Sequence, residues 1–381
     1  VPSRTVDDRP GRLGELAGVF LKLGSISFGG PAAHIALMRH EFVERRQWLG
    51  DREFLDLVGA TNLIPGPNST EMAIHIGLQR AGWPGLVVAG ACFILPAVVI
   101  VGLLAALYVQ LGSLPETQAL FYGVKPVVVA IVAIALWRLA RAAIGSLWQA
   151  ALAAAAMVAS LMDVHELTLL AVCGILGGLA SSRGARQSLS LGAVALATPG
   201  AVQAAAAAGV VTSGTLALVF LKAGAFLFGS GYVLLAFLRA DLVERLGWLT
   251  ERQLLDAVSV GQFTPGPVFT TATFIGYILE GPRGAAIATA SIFFPAFVFV
   301  ALSGPLLPRI RKSRVAGGVL DGVNVGSLAL MAAVTWQLGR VAVVDSTTVV
   351  LAALSLIAML RLRLNPAWLI AAGAAVGLLA R

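Results

Sequence analysis

A chain of 381 residues that is 58% hydrophobic, only 12% charged and has a mean hydropathy of +0.88 cannot hide its apolar surface in a soluble core. Soluble domains carry about 25% charged residues, so the surplus apolar surface must face lipid and the chain reads as an all-α polytopic membrane protein. The formal charge of +8 does not indicate a nucleic-acid partner, because the basic residues fall in short clusters between apolar runs, as cytoplasmic loops require.

The first 12 residues are polar, lack the apolar stretch of a secretory leader, and read as a cytoplasmic N-terminal segment. An apolar run at 13–28 follows, then a second from Pro31 that turns polar beyond Met38. From Arg39 to Glu53 the charges alternate in sign around Phe42, Trp48 and Leu49, which predicts an interfacial amphipathic segment. A short pair of helices flanks Pro65-Gly66-Pro67, and long runs occupy 84–111 and 118–140. Shorter runs at 146–162 and 166–182 lead to a joining run at 190–211, broken at Pro199-Gly200. The second half repeats the series to the C terminus. A full span needs about 20 apolar residues, so the shorter runs predict broken or re-entrant helices. The expected division is 1–12, a first repeat at 13–189, a linker helix at 190–212 and a second repeat at 213–381. Cys92 and Cys173 lie inside apolar runs and read as packing residues.

The repeat rests on rare residues held in register. Phe20-Leu21-Lys22-Leu23-Gly24 matches Phe220-Leu221-Lys222-Ala223-Gly224, 200 positions on. At the same separation Val43-Glu44-Arg45 matches Val243-Glu244-Arg245, Trp48 matches Trp248 and Pro65-Gly66-Pro67 matches Pro265-Gly266-Pro267. After one deletion Pro96 matches Pro295, Gly123 matches Gly322 and Trp137 matches Trp336. General membrane composition accounts for matched Leu and Ala, but not for matched Trp, Arg and Pro-Gly-Pro. The loop at 112–117 has no Lys or Arg and is placed outside, with the loops near Arg141 and Arg183 inside. Its counterpart in the second half is the basic stretch at 305–314, which belongs inside. Equivalent loops on opposite faces predict an inverted-topology repeat, the plan of alternating-access transporters. Arg340, which falls outside, runs against this trend.

Candidate chemistry gathers at the helix breaks. Gly29-Gly30-Pro31 lets the backbone unwind and starts a helix at Pro31. Pro65, Gly66 and Pro67 do the same, with Asn68, Ser69 and Thr70 supplying side-chain donors in the next turn. The second half offers Gly229, Ser230 and Gly231, then Pro265, Gly266 and Pro267 followed by Thr270 and Thr271. A helix N-terminus has free N–H groups and about half a positive charge, which in apolar surroundings suits an anion. A lone break is more often a kink that aids packing; two kinds of break, each present in both halves, favour a binding site. Lys22 and Lys222 lie in apolar runs just before the glycine breaks. They either balance a bound dianion or snorkel to the headgroups. Lys125, replaced by Asn324 in the second half, is a third candidate. Glu71 and His75 share one helix face and could carry a coupling proton, or serve as a cap and a packing residue. His34 is a further candidate of that kind, and Arg39 and Arg239 would attract anions toward the site. No Walker loop, metal-spaced Cys/His cluster or Ser-His-Asp set is present, so neither an enzyme nor a cofactor or metal is expected.

The segments Phe20–Gly24, Ser27–Pro31, Val43–Arg46, Trp48–Leu49 and Pro65–Ala73 resemble the chromate ion transporter family in its long two-domain form, and Gln262–Tyr277 resembles that family's second domain. The likeness covers nearly the whole chain; Ser230 stands where the family pattern has Gly. The resemblance implies chromate export from the cytoplasm across the bacterial inner membrane, sulfate as a related or competing anion, proton-motive energy and chromate resistance. Expected partners are chromate or sulfate, the lipid bilayer and a second copy of the chain, whose contact the glycine-rich helix at 173–178 could form. The alternatives are a sulfate- or molybdate-type transporter of the same architecture, an anion channel, or a membrane enzyme acting on lipid phosphate.

Overall fold

The computed structural model describes residues 9–28, 30–61, 63–112, 114–162, 164–182, 211–227, 233–362, 364 and 366–380. The expected linker helix therefore lies almost wholly outside the described residues. Every regular element among them is helical. Helix α1 (Arg9–Ile26) ends in an unwound stretch, and α2 (Pro31–Arg39) restarts the chain and runs into a π-helical turn at His40–Arg45. The stretch from Arg39 to Glu53, expected as an interfacial amphipathic segment, comprises this turn, a bend at Gln47 with φ 53° and the start of α3 (Asp51–Thr61). Helix α4 (Asn68–Leu111) follows, then α5 (Pro115–Ala143), α6 (Leu147–Leu161) and α7 (Glu166–Ser182).

The second half repeats this order. It comprises α8 (Ser213–Phe226), α9 (Leu234–Leu238) with its π-turn Arg239–Arg245, and α10 (Glu251–Phe263). A 3-10 turn at Val268–Thr270 leads into α11 (Thr271–Lys312), followed by α12 (Arg314–Ala342), α13 (Ser346–Ile357) and α14 (Pro366–Ala380). Among the described residues four helices are long and apolar enough to cross a membrane: Asn68–Leu111, Pro115–Arg141, Val268–Ser303 and Arg314–Ala342. The protein is an all-α polytopic membrane protein with two structurally similar halves.

Helix α4 is two arms folded back on each other. The reversal is at Ala81 and Gly82, where Gly82 adopts φ 64° and ψ −150°, a conformation that a side chain would strain. The arms touch backbone to backbone beyond the turn: a Cβ on Gly77 would fall 2.2 Å from the Gly85 carbonyl oxygen. Helix α11 reverses in the same way at Glu280 and Gly281. Glu15 of α1 pairs with Arg46 beyond the π-turn and, at 3.7 Å, with Arg80 beside the α4 reversal. The first half thus leaves one level twice, as α1 then α2 and as α3 then the first arm of α4, and returns to it both times. In the second half Ser213 donates to the Glu280 carboxylate at 3.0 Å, which brings the start of α8 level with the α11 reversal.

The two halves face opposite ways, and the contacts along α4 show it. Leu86, just past the α4 reversal, belongs to a cluster with Ala296 and Val300, far along α11 from its own reversal. Midway along α4, Ala97 lies under Gly266. At the far end Tyr108 donates to Asp256 near the start of α10. The long arms therefore run antiparallel, which makes the repeat inverted. The halves also exchange helices: α5 packs on α13 and α14, and α12 packs on α6 and α7. Glycines permit these approaches; a Cβ on Gly123 would fall 1.9 Å from the Gly373 carbonyl oxygen. Gly177 and Gly178, in the stretch offered to a second copy, seat instead on Gly318 and Val319 of α12 in the same chain.

Candidate functional site

The two breaks of the first half meet the Pro-Gly-Pro break and the end of α8 of the second. After Ile26 the chain unwinds, Gly30 takes φ 82°, and Pro31 opens α2, with the N–H groups of Ala33 and His34 donating to the Gly30 carbonyl at 3.1 Å each. At the second break Gly66 takes φ 137° and Pro67 caps α4, its carbonyl accepting from Thr70 at 2.8 Å and Glu71 at 3.0 Å. The tips then bond across the repeat. Gly66 N–H donates to the Leu227 carbonyl at 2.7 Å, and Gly266 N–H donates to the Ser27 carbonyl at 2.8 Å. The Pro-Gly-Pro break of each half is thereby fastened to the unwound end of the first helix of the other. Gly29, Gly229, Ser230 and Gly231 lie outside the described residues; Pro65, Pro67, Pro265 and Pro267 are in the converging tips.

The tips are lined by buried polar groups. His34 bridges the two breaks of its own half, with Nδ1 3.1 Å from Ser69 Oγ and Nε2 3.1 Å from the Ser27 carbonyl. A carbonyl only accepts, so Nε2 carries a proton, and in the neutral ring Nδ1 accepts from the Ser69 hydroxyl. Glu71 is fully buried, and neither carboxylate oxygen has a hydrogen-bond partner among the described residues. Its Oε1 presses on the break: a Cβ on Gly66 would lie 2.2 Å from it. Thr70 Oγ1 and His75 Nε2 are likewise buried and unpartnered. Thr270 donates to the Pro267 carbonyl and Thr271, the counterpart of Glu71, to the Val268 carbonyl, each at 2.8 Å. Asn68 occupies the first position of α4.

The lysines matched by the repeat have different surroundings. Lys22 is exposed. Lys222 is partly buried between two carboxylates, donating to Glu166 of the first half at 2.7 Å and to Asp241 at 2.8 Å. Lys125 is 8% exposed and pairs at 2.9 Å with Asp256, which is 3% exposed and also accepts from Tyr108 at 2.8 Å. Both clusters join the first half to the second. Sequence reasoning missed Asp256, Glu166, Asp241 and Tyr108 as their partners; the match of Asp56 to Asp256 was the available signal. Arg39 pairs with Glu44 and Asp51 at 2.5 Å each, and Arg239 pairs with Glu244 and, at 2.6 Å, with Glu251. Nearby, burial pushes the Glu41 carboxyl up, but hydrogen bonds from Arg46 and Arg45 outweigh it and hold the group below its usual range. Among the described residues no group of three or more His, Cys, Asp or Glu is placed to hold a metal ion.

The pattern of breaks has close relatives. The family described as chromate transporter matches residues 14–178 and again 214–378. The chromate transport protein of Cupriavidus metallidurans is 32% identical over 379 residues, which cover 97% of this chain and 93% of that one. A probable chromate transport protein of Synechococcus elongatus is 32% identical over 92% of this chain and 90% of its own. The chromate transport protein of Pseudomonas aeruginosa is 32% identical over 84% and 80%. No solved structure matches. With both halves matched and full-length relatives at this identity, the chain belongs to the chromate transporter family in its two-domain form, a family of membrane transport proteins rather than enzymes.

Proposed function

We propose that the protein exports chromate from the cytoplasm across the bacterial inner membrane, takes sulfate as a related anion, and draws on the proton-motive force. The observation that carries this reading is the reciprocal pair of bonds from Gly66 to Leu227 and from Gly266 to Ser27, which gathers four helix ends at one point. The first arm of α4 has about 13 residues and is about 20 Å long at 1.5 Å per residue. A hydrocarbon core is about 30 Å thick, so an arm that starts at one face ends deep inside it. Helix N-termini there attract an oxyanion. Thr70, whose hydroxyl has no partner among the described residues, stands in the first turn to donate to its oxygens. Ser69, Thr270 and Thr271 would do so by turning from their present acceptors, and Glu71 and His75 are the groups for a coupled proton.

Access alternates by one repeat rocking against the other. On one side of the tips the halves are joined by two buried charge clusters, Lys125–Asp256 and Lys222–Glu166, which rocking must open. On the opposite side Asn324 stands in place of Lys125, and Lys22 is exposed. The distribution of basic loops favours a cytoplasmic N terminus and α4 reversal. The test is equilibrium binding of chromate to the purified protein in detergent, with sulfate as competitor. Saturable binding that sulfate displaces and that Gly266→Val abolishes, in protein that still elutes as a folded species, supports the site. Undiminished binding by that variant places the anion elsewhere.

A further inference from the structure

We propose that Glu71 couples a proton to transport by mutual exclusion: its carboxylate and the oxyanion compete for the N-terminus of α4, so the oxyanion binds only with Glu71 protonated. This rests on the anion site proposed above. Glu71 is in the first turn of α4, its own N–H donates to the Pro67 carbonyl, and its Oε1 lies against Gly66. The side chain is fully buried, and both oxygens lack a hydrogen-bond partner among the described residues. A buried carboxylate without a partner is neutralised or finds a counter-charge, and the positive end of α4 is the charge within reach.

The surroundings leave Glu71 as the group that titrates against the anion. On its own helix the facing group is His75, one turn on. From α2 it is His34, reached through Ser69. From α11 it is the methyl of Ala296, and from the other half's tip the Leu227 carbonyl. Lys22 on α1 and Asp56 on α3 are both exposed. An ionised Glu71 beside a bound dianion would place three negative charges around one helix end, and the described residues facing it bring no Lys or Arg to offset them. A protonated Glu71 removes one of those charges and can donate its O–H to an anion oxygen. The second half carries Thr271 at this position, already bonded to its own backbone, so the inverted pair holds one such proton and not two.

The charge balance follows. One proton taken from water on the cytoplasmic side enters with one dianion, and both leave on the far side. The net movement is one negative charge outward, which an inside-negative membrane potential favours, while the proton itself moves against the pH gradient, so the electrical part of the proton-motive force supplies the drive.

The experiment uses the full-length protein in liposomes, with chromate and sulfate as probes. Apparent affinity is measured over a pH series, and proton movement is followed with an internal pH dye. For the wild type, affinity should weaken about tenfold per pH unit once Glu71 ionises, the slope of a single linked proton. Glu71→Gln should bind chromate with little pH dependence and move it without proton flux. Glu71→Thr, the residue of the second half, should behave like Glu71→Gln and serves if the glutamine variant does not fold. Either variant keeping the wild-type pH slope and proton flux would overturn the inference while leaving the anion site intact. A folded wild type that takes neither chromate nor sulfate at any pH would remove the anion site itself, and this inference with it.

Discussion

Replacing Lys125 by Ala should reveal how much the buried cross-repeat charge stabilises the fold. Lys125 and Asp256 are 8% and 3% exposed and lie 2.9 Å apart, one in each half. Removing the lysine leaves Asp256 buried with the Tyr108 hydroxyl at 2.8 Å as its donor among the described residues. Breaking a buried pair by deleting one partner costs about 3–5 kcal/mol, because the remaining charge is uncompensated. Replacing both partners by apolar residues of similar size is often neutral or stabilising by about 1–4 kcal/mol. Lys125→Ala and Asp256→Ala should therefore each lower the unfolding midpoint in detergent sharply, and Lys125→Met with Asp256→Leu should recover most of the loss. Reversible denaturant titration of these proteins compares the losses, and adding the Lys125→Ala, Asp256→Ala double variant closes the cycle that gives the coupling. A Lys125→Ala loss below about 1 kcal/mol, the range of an exposed pair, would refute the claim that this charge is buried and paired.

Other outcomes follow from the same contacts. A side chain at Gly82 meets nothing within 4 Å but is forced to φ 64°, so Gly82→Ala should cost on the order of 1–3 kcal/mol of stability. Chromate binding per folded molecule should stay unchanged, and lost binding would mean that the reversal does more than turn the chain. Gly123→Val drives into the Gly373 backbone of α14 and should cost at least about 1–3 kcal/mol by overpacking; unchanged thermal stability would contradict the exchanged helix packing. Glu41 is held below its usual carboxylate range by Arg46 and Arg45 despite its burial. A group with a depressed folded pKa contributes stability that is present above its unfolded value, about 4.3, and is lost as pH falls through the lowered one. Glu41→Gln should accordingly flatten the fall of stability in that acidic window, and a curve of wild-type shape would remove Glu41 from the set of stabilising carboxylates.

The breaks were legible in the sequence because glycine and proline have local backbone consequences. Gly30 and Gly66 do take positive φ, and Pro31 and Pro67 stand at the helix starts. The repeat was legible because matched Trp, Arg and Pro-Gly-Pro carry the register, and its inversion because the uncharged loop at 112–117 has the basic stretch at 305–314 as its counterpart. The reversal in α4 was not seen as a turn, although Arg80, Gly82 and Pro84 mark it, because the apolar run masked it as the entry to a span. Partner choice was the part that composition could not hold. Lys22 and Lys222 occupy matching positions, yet one is exposed and the other sits between Glu166 and Asp241. That difference comes from the first residue of α7, Glu166, reaching Lys222 of α8, a contact between segments far apart in the chain. The glycines of α7 show the same limit, since a surface suited to a second copy is filled by α12 of the same chain.

The most direct test of the central claim is uptake of labelled chromate into inside-out vesicles holding the purified protein, with and without an imposed proton-motive force and with excess sulfate. Uphill chromate uptake that needs the imposed force and is suppressed by sulfate is the result expected of an oxyanion exporter whose site lies where the four helix ends meet. Well-folded protein that moves no chromate under either condition would contradict it.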